Sequence, residues 1–277
     1  MYQPKEIPEE VNVTKVNPLV NLGYLLGTVA VFGTAVYLSL GAVATQLAVK
    51  MSPEMEHKIG LEMLENSNFA DEEDLSARQI KQQDYLQQLL VSLNGGTTSR
   101  DIPLKVYLWE QAQPNAFVFP GGQIVVTTGL VEAAESENEI AFVLAHELAH
   151  HVERDGLKGM GRSLVLLFVS TAIGIGSGNG DFVISAANLG DLHYSREQEA
   201  LADRYALAAV VDYYGHGSAS LDFFQKILDK KRDRRSKMDS YFSTHPLTEA
   251  RINDLNKMAA EKGWLMEGEL TELPSIF

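Results

Sequence analysis

The sequence predicts a mainly α-helical protein with one small antiparallel β-sheet, set behind a single N-terminal transmembrane helix. Three observations carry this expectation. No charged residue occurs from Val16 to Val49. Most of the remaining chain places apolar residues at helical spacing, and one short region alternates like strands around a Pro-Gly-Gly turn.

Composition sets the outer limits. Of 277 residues, 45% are hydrophobic and 22% charged, which suits a folded chain rather than a disordered or repetitive one. Cysteine is absent, which excludes a disulfide framework, Cys-ligated zinc, iron–sulfur clusters and a thiol nucleophile. A net charge of −14 argues against binding nucleic acid through bulk charge, so no nucleic-acid partner is expected.

Residues 1–18 read as an N-terminal tail and residues 19–47 as the transmembrane anchor. Leu19–Leu47 exceeds the roughly 20 apolar residues that a helix needs to cross a bilayer core. Its glycines are acceptable in that setting. A cleaved signal peptide is the competing reading, with Ala42-Val43-Ala44 as a small-residue cleavage site. Glu6, Glu9 and Glu10 before the run weigh against it, as does a length beyond an h-region of about 7–15 residues. Lys5 and Lys15 before the span balance Lys50 and Lys58 after it, so charge does not orient it.

Ser52-Pro53 opens a helix with Glu54 and Glu56 in its first turn. A second helix is expected over Glu72–Leu93, on the spacing of Tyr85, Leu86, Leu89, Leu90 and Leu93, closed by Gly95-Gly96. Leu104–Trp109 alternates as a strand. Asn115–Phe119 and Gln123–Thr127 flank Pro120-Gly121-Gly122 and predict a hairpin. Ser136-Glu137-Asn138-Glu139 fits a capping box that opens a helix running to about Arg154. Within the uncharged stretch Ser163–Gly180, Ser163–Ile175 reads as a buried or membrane-facing helix, with a second span as the alternative. Helices are further expected over Arg196–Val211, over Ser220–Lys237, and from Pro246 onward with Ile252, Leu255 and Met258. The basic run Lys230–Arg235 reads as a solvated face or an anionic-lipid contact.

The helix that opens at Ser136 contains His146-Glu147-Leu148-Ala149-His150. Histidines four apart share one helix face, so both imidazoles can reach one cation. Glu147 lies beside the first and can reach a water held there. A catalytic zinc uses three protein ligands and an open position, and a neighbouring carboxylate can act as general base toward the water. A third ligand must come from elsewhere, since the long zincin form would need His at position 156, which is Gly156. Asp191–Asp203 offers Asp191, His193, Glu197, Glu199 and Asp203. Spacing alone does not choose among them, although Glu199 and Asp203 share a face, so that one could ligate while the other orients a histidine.

With Ser195–Asp203 (SREQEALAD) after HELAH, the chain resembles the gluzincins of metallopeptidase family 48, of the HtpX, CAAX-endoprotease, Oma and BepA type. Pro114–Phe117 with Pro120-Gly121-Gly122 and Thr128-Gly129-Leu130 is similar to the family's edge-strand hairpin. His245-Pro246 with Arg251-Ile252 is similar to its C-terminal motif, and Ser52–Glu56 with Gly60 to its opening helix. The resemblance implies a zincin-like metallopeptidase domain over residues 51–265, with residues 266–277 as a C-terminal tail. It implies one zinc ion per chain held by His146, His150 and Glu199, with Glu147 as general base and Asp203 buttressing a ligand histidine. Asn115 and Ala116 would lie on the strand that holds an extended substrate. Where many members carry His nine residues after the first ligand, this chain has Asp155, expected to affect metal binding little.

His245 has two functional readings, a hydrogen bond to the oxyanion or occupation of the fourth metal position as a latch, beside a purely structural role before Pro246. Arg251 is expected to pair with a buried carboxylate such as Asp203. The resulting expectation is a membrane-anchored zinc endopeptidase acting on extended or misfolded polypeptides in membrane or envelope quality control. The bilayer would be its other partner, and the catalytic domain would sit on the extracytoplasmic side. An assembly factor or chaperone with latent peptidase activity is the alternative.

Overall fold

Asn17 begins the first helix, its side chain accepting from Leu19 N at 3.0 Å, and Pro18 takes the first helical position, where its missing N–H costs nothing. The structure, a computed structural model, describes residues 17–65, 67, 69, 75–95, 103–160, 194–222, 224–226, 245 and 248–277. The chain divides into two units, residues 1–43 and 44–277. Helix α1 (Pro18–Lys50) includes an apolar stretch, Pro18–Ser39, of 22 residues with none buried. At 1.5 Å per residue that stretch is about 33 Å long, enough for the roughly 30 Å core of a bilayer.

In the second unit, α2 (Pro53–Glu65) starts at Ser52, whose hydroxyl accepts from Met55 N at 3.3 Å. Helix α3 (Ala77–Leu93) starts later than expected, because Ser76 and Gln79 close a capping box there. The strands are β1 (Lys105–Trp109), β2 (Ala116–Phe119) and β3 (Gln123–Thr127), in the order β1-β3-β2. The hairpin is antiparallel as predicted, but β1 runs parallel to β3, so the sheet is mixed rather than antiparallel throughout. All five β3 residues are buried, and this strand takes the centre while β1 and β2 flank it.

Alternation along the strands divides two cores. Val106, Leu108, Ala116, Val118, Ile124 and Val126 face a core shared with the later helices, whereas Tyr107, Phe119 and Val125 pack with Met63 and Leu64 of α2. A short helix that the sequence did not announce, α4 (Thr128–Ala133), follows β3 and is capped by Thr127. Helix α5 (Glu137–Val152) is buried from Glu137 through His151, a central helix walled on every side. Its capping box is half closed. Ser136 accepts from Glu139 N, but the Glu139 carboxylate turns to Glu135 N and Lys226. The helix stops at Val152, and Arg154 follows in the left-handed region (φ 57°).

Helix α6 (Arg196–Tyr214) packs along α5. It opens on a Ser195–Gln198 capping box and ends at Gly215, left-handed at φ 80°. Helix α7 (Glu249–Lys262) packs on α6. Its first helical residue is Glu249, and Pro246 lies outside the described residues, as do Ser163–Gly180 and residues 227–237 of the expected Ser220–Lys237 helix. Residues 266–277 do not trail as a tail. Thr271 exchanges backbone and side-chain bonds with Glu137 and Asn138, Ile276 O accepts from Gln82 at 2.7 Å, and the Phe277 ring packs edge-on against Tyr85.

Candidate active site

Helix α5 presents His146 and His150 on one face, one turn apart, with their Nε2 atoms 3.1 Å from each other. Packing of α6 against this face brings in Glu199, whose carboxylate oxygens lie 3.5 Å from His146 Nε2 and 3.4 Å from His150 Nε2. His245 Nδ1 is 3.2 Å from His146 Nε2 and 2.9 Å from Glu199 Oε1. All four residues are buried, and one donor atom from each lies within 4.8 Å of the others. Glu197, the alternative that spacing left open, is exposed, while Asp191 and His193 lie outside the described residues.

The opposite ring nitrogens decide what this cluster can do. His146 Nδ1 is 3.1 Å from Asp203 Oδ1, and His150 Nδ1 is 3.0 Å from Asp155 Oδ2. A carboxylate only accepts, so the Asp155 bond and the neighbouring Asp203 favour the proton on each Nδ1, which leaves the Nε2 lone pair of a neutral ring facing inward. Two lone pairs 3.1 Å apart repel unless a cation or proton sits between them. Bonds of about 2.0–2.1 Å to a tetrahedral zinc would separate donors by about 3.3 Å, and the separations among His146, His150 and one or other Glu199 oxygen are 3.1–3.5 Å. The residues present therefore fit a bound metal ion.

Charge points the same way. Glu147, Glu199, Asp203 and Asp155 converge with Arg251 and Lys158 as the nearby permanent cations. Burial alone would lower the His146 imidazole, yet Asp203 and Glu199 raise it to about 9. Burial likewise opposes ionisation of Glu199, but His245, His146 and His150 hold it well below the usual carboxylate range.

Arg251 makes the contacts expected of it. Its Nε and Nη2 grip Asp203 at 2.6 and 2.7 Å, and its Nη1 reaches Glu199 Oε2 at 2.7 Å. Glu147 is fully buried, its carboxylate accepts no hydrogen bond from the described residues, and Oε1 lies 3.4 Å from His245 Nε2. Such a carboxylate is held ready for an incoming donor. Asn115 and Ala116 are buried at the start of β2, which packs against α5. Asn115 is tied to Thr127 through its N–H and its carbonyl, on the β3 side. The other edge of β2 pairs with no strand among the described residues.

Two residues went unrecognised in the sequence. Asp155, expected to matter little, is the hydrogen-bond partner of His150. Regular helical geometry would not bring position 155 back to 150; the left-handed Arg154 reverses the chain and does so. Tyr194 stacks on the His150 ring at 3.9 Å and 11°, with no motif to announce it. His57 and His151 lie outside this donor set, and His57 binds Gly121 O and Gln123 at the hairpin turn.

Comparison with known proteins agrees with this geometry. A profile of peptidase family M48 matches residues 80–259. The chain is 28% identical over 189 residues to the beta-barrel assembly-enhancing protease of Yersinia pestis, covering 63% of this chain and 38% of that one. It is 24% identical over 190 residues to the mitochondrial metalloendopeptidase OMA1 of Schizosaccharomyces pombe, covering 67% and 54%. With mitochondrial metalloendopeptidase OMA1 of Bos taurus the identity is 26% over 222 residues, covering 76% and 42%. The chain thus spans between 38% and 54% of the length of these relatives. The matched region runs from α3 through the sheet, α5 and α6 into α7 and encloses every residue of the buried donor set, and the chain belongs to peptidase family M48.

Proposed function

We propose that this chain is a membrane-anchored, zinc-dependent endopeptidase that cleaves extended or misfolded polypeptides. The observation that carries the reading is the buried set of His146, His150, Glu199 and His245 beside the Glu147 carboxylate, which accepts no hydrogen bond among the described residues. His146, His150 and Glu199 would hold the metal, with Asp203 and Arg251 fixing the first histidine and the glutamate. A zinc ion held there supplies Lewis acidity toward the scissile carbonyl and acidifies a water. Glu147 takes the proton of the attacking water and returns it to the leaving amine. The edge of β2 at Asn115 and Ala116 lays the substrate out as an added strand. Helix α1 supplies the anchor, and the apolar Pro18–Ser39 stretch supports it. The names of the relatives, a protease enhancing beta-barrel assembly and a mitochondrial metalloendopeptidase, support membrane or envelope proteins as substrates and an extracytoplasmic catalytic domain.

One observation favours a latent form of the same enzyme, consistent with an assembly factor whose peptidase activity is held in check. His245 Nδ1 stands within the donor set, where it would fill the fourth position and exclude a substrate carbonyl. The test uses the full chain in detergent, with zinc measured by elemental analysis and cleavage of an unfolded protein compared across variants. Wild type should hold one zinc and cleave, and Glu147→Gln should keep the zinc and lose cleavage. His245→Ala should cleave faster if the histidine latches the site and slower if it steadies the oxyanion. A wild type without zinc, or cleavage indifferent to Glu147→Gln, refutes the enzyme.

A further inference from the structure

A side chain that the function above leaves unused links the start of α6 to the segment that follows α5. Gln198 is the third residue of α6, directly before Glu199. Its Oε1 accepts from Ser195 N at 2.8 Å, and Ser195 Oγ accepts from Gln198 N at 3.2 Å, closing the helix cap. The Nε2 of the same amide donates to Asp155 Oδ1 at 2.8 Å. The other oxygen of Asp155 accepts from His150 Nδ1 at 3.0 Å, and Lys158 Nζ lies 3.2 Å from Oδ1. Asp155 is 2% exposed, so these partners replace its water.

The amide has one workable orientation. Flipped, its oxygen would face the Asp155 carboxylate and its NH2 would face the Ser195 N–H, an acceptor against an acceptor and a donor against a donor. A single planar group thus ties the first turn of the helix carrying Glu199 to the carboxylate that sets the tautomer and direction of His150. We propose that Gln198 is a positioning residue of the metal centre, acting through Asp155 to hold His150 and Glu199 in mutual register. The inference rests on the metal site proposed above. Groups that orient ligand histidines typically contribute 10–100-fold in metal affinity.

A plain helix cap would behave differently, and substitution separates the two roles. Gln198→Glu keeps the acceptor for Ser195 N, and its charge suits a helix N-terminus. It also sets an oxygen against Asp155. Asp155→Asn leaves two amide donors facing each other when its oxygen serves His150. Together the substitutions re-pair: the amide introduced at position 155 donates to the carboxylate introduced at position 198, and its carbonyl accepts from His150.

The experiment measures zinc affinity of the full chain in detergent by competition with a chromogenic chelator, for wild type, both single variants and the double variant. Each single variant is expected to bind zinc about 10–100-fold more weakly, and the double variant more tightly than either. Gln198→Glu binding zinc like wild type overturns the proposal, and so does a double variant whose loss is the product of the single losses. A wild type that binds no zinc refutes the metal site itself and this inference with it.

Discussion

Replacing Arg251 by alanine should expose how much buried charge this site carries. The guanidinium makes contacts of 2.6 and 2.7 Å to Asp203 and 2.7 Å to Glu199, and it lies 5.0 Å from the centre of the Phe224 ring. Asp203 and Glu199 are 2% and 1% exposed, so alanine leaves two carboxylates without water or their permanent cation. Removing one partner from a buried ion pair costs about 3–5 kcal/mol, and two anions lose their partner here. For a domain of this size, about 2–4 °C per kcal/mol converts that loss to a fall of roughly 6–20 °C in Tm. A bound zinc returns a cation to Glu199, so the fall should be larger in chelator than in zinc. Arg251→Lys keeps the charge but not the planar fork and should fall between. Thermal unfolding of the detergent-solubilised chain, followed by circular dichroism in both conditions, reads the effect. A chelated Arg251→Ala protein that melts within about 2 °C of wild type would refute the reasoning, as would a larger loss with zinc present.

Removing the metal from wild type should itself lower Tm, because the converging lone pairs and carboxylates lose their cation. Free zinc at about 1,000 times Kd stabilises by about 4 kcal/mol, so titrating zinc into chelated protein should raise Tm progressively; a Tm independent of zinc contradicts the site. Gly60→Ala should destabilise by about 1–3 kcal/mol as an overpacking change, since the added Cβ would overlap the Pro120 carbonyl at the hairpin turn. Urea unfolding midpoints check this, and an unchanged midpoint would contradict the close approach of α2 to the turn.

Local signals carried much of the fold. The Pro120-Gly121-Gly122 hairpin and the two-residue alternation were readable because turn chemistry and period act over a few residues. The direction of β1 was not, because it depends on which strand occupies the centre of the sheet, a matter of total burial. The start of α3 at Ser76 was a local signal that the acidic stretch before it obscured.

The order of residues was enough to set the chemistry of this protein: no thiols, two histidines one turn apart with a glutamate between, and an apolar helix long enough for a bilayer. Spacing could not choose Glu199 over Glu197, since both lie in the first turn of α6; the packing of α6 on α5 buries one and leaves the other in solvent. Nor could it anticipate that Asp155 serves His150, because that contact depends on one left-handed residue, Arg154. Side-chain type and local period put His146 and His150 on one face, but they do not say which carboxylate meets them. The contacts of Gln198 with Asp155 and of His245 with His146 join residues 43 and 99 positions apart, and those meet only once the helices have packed.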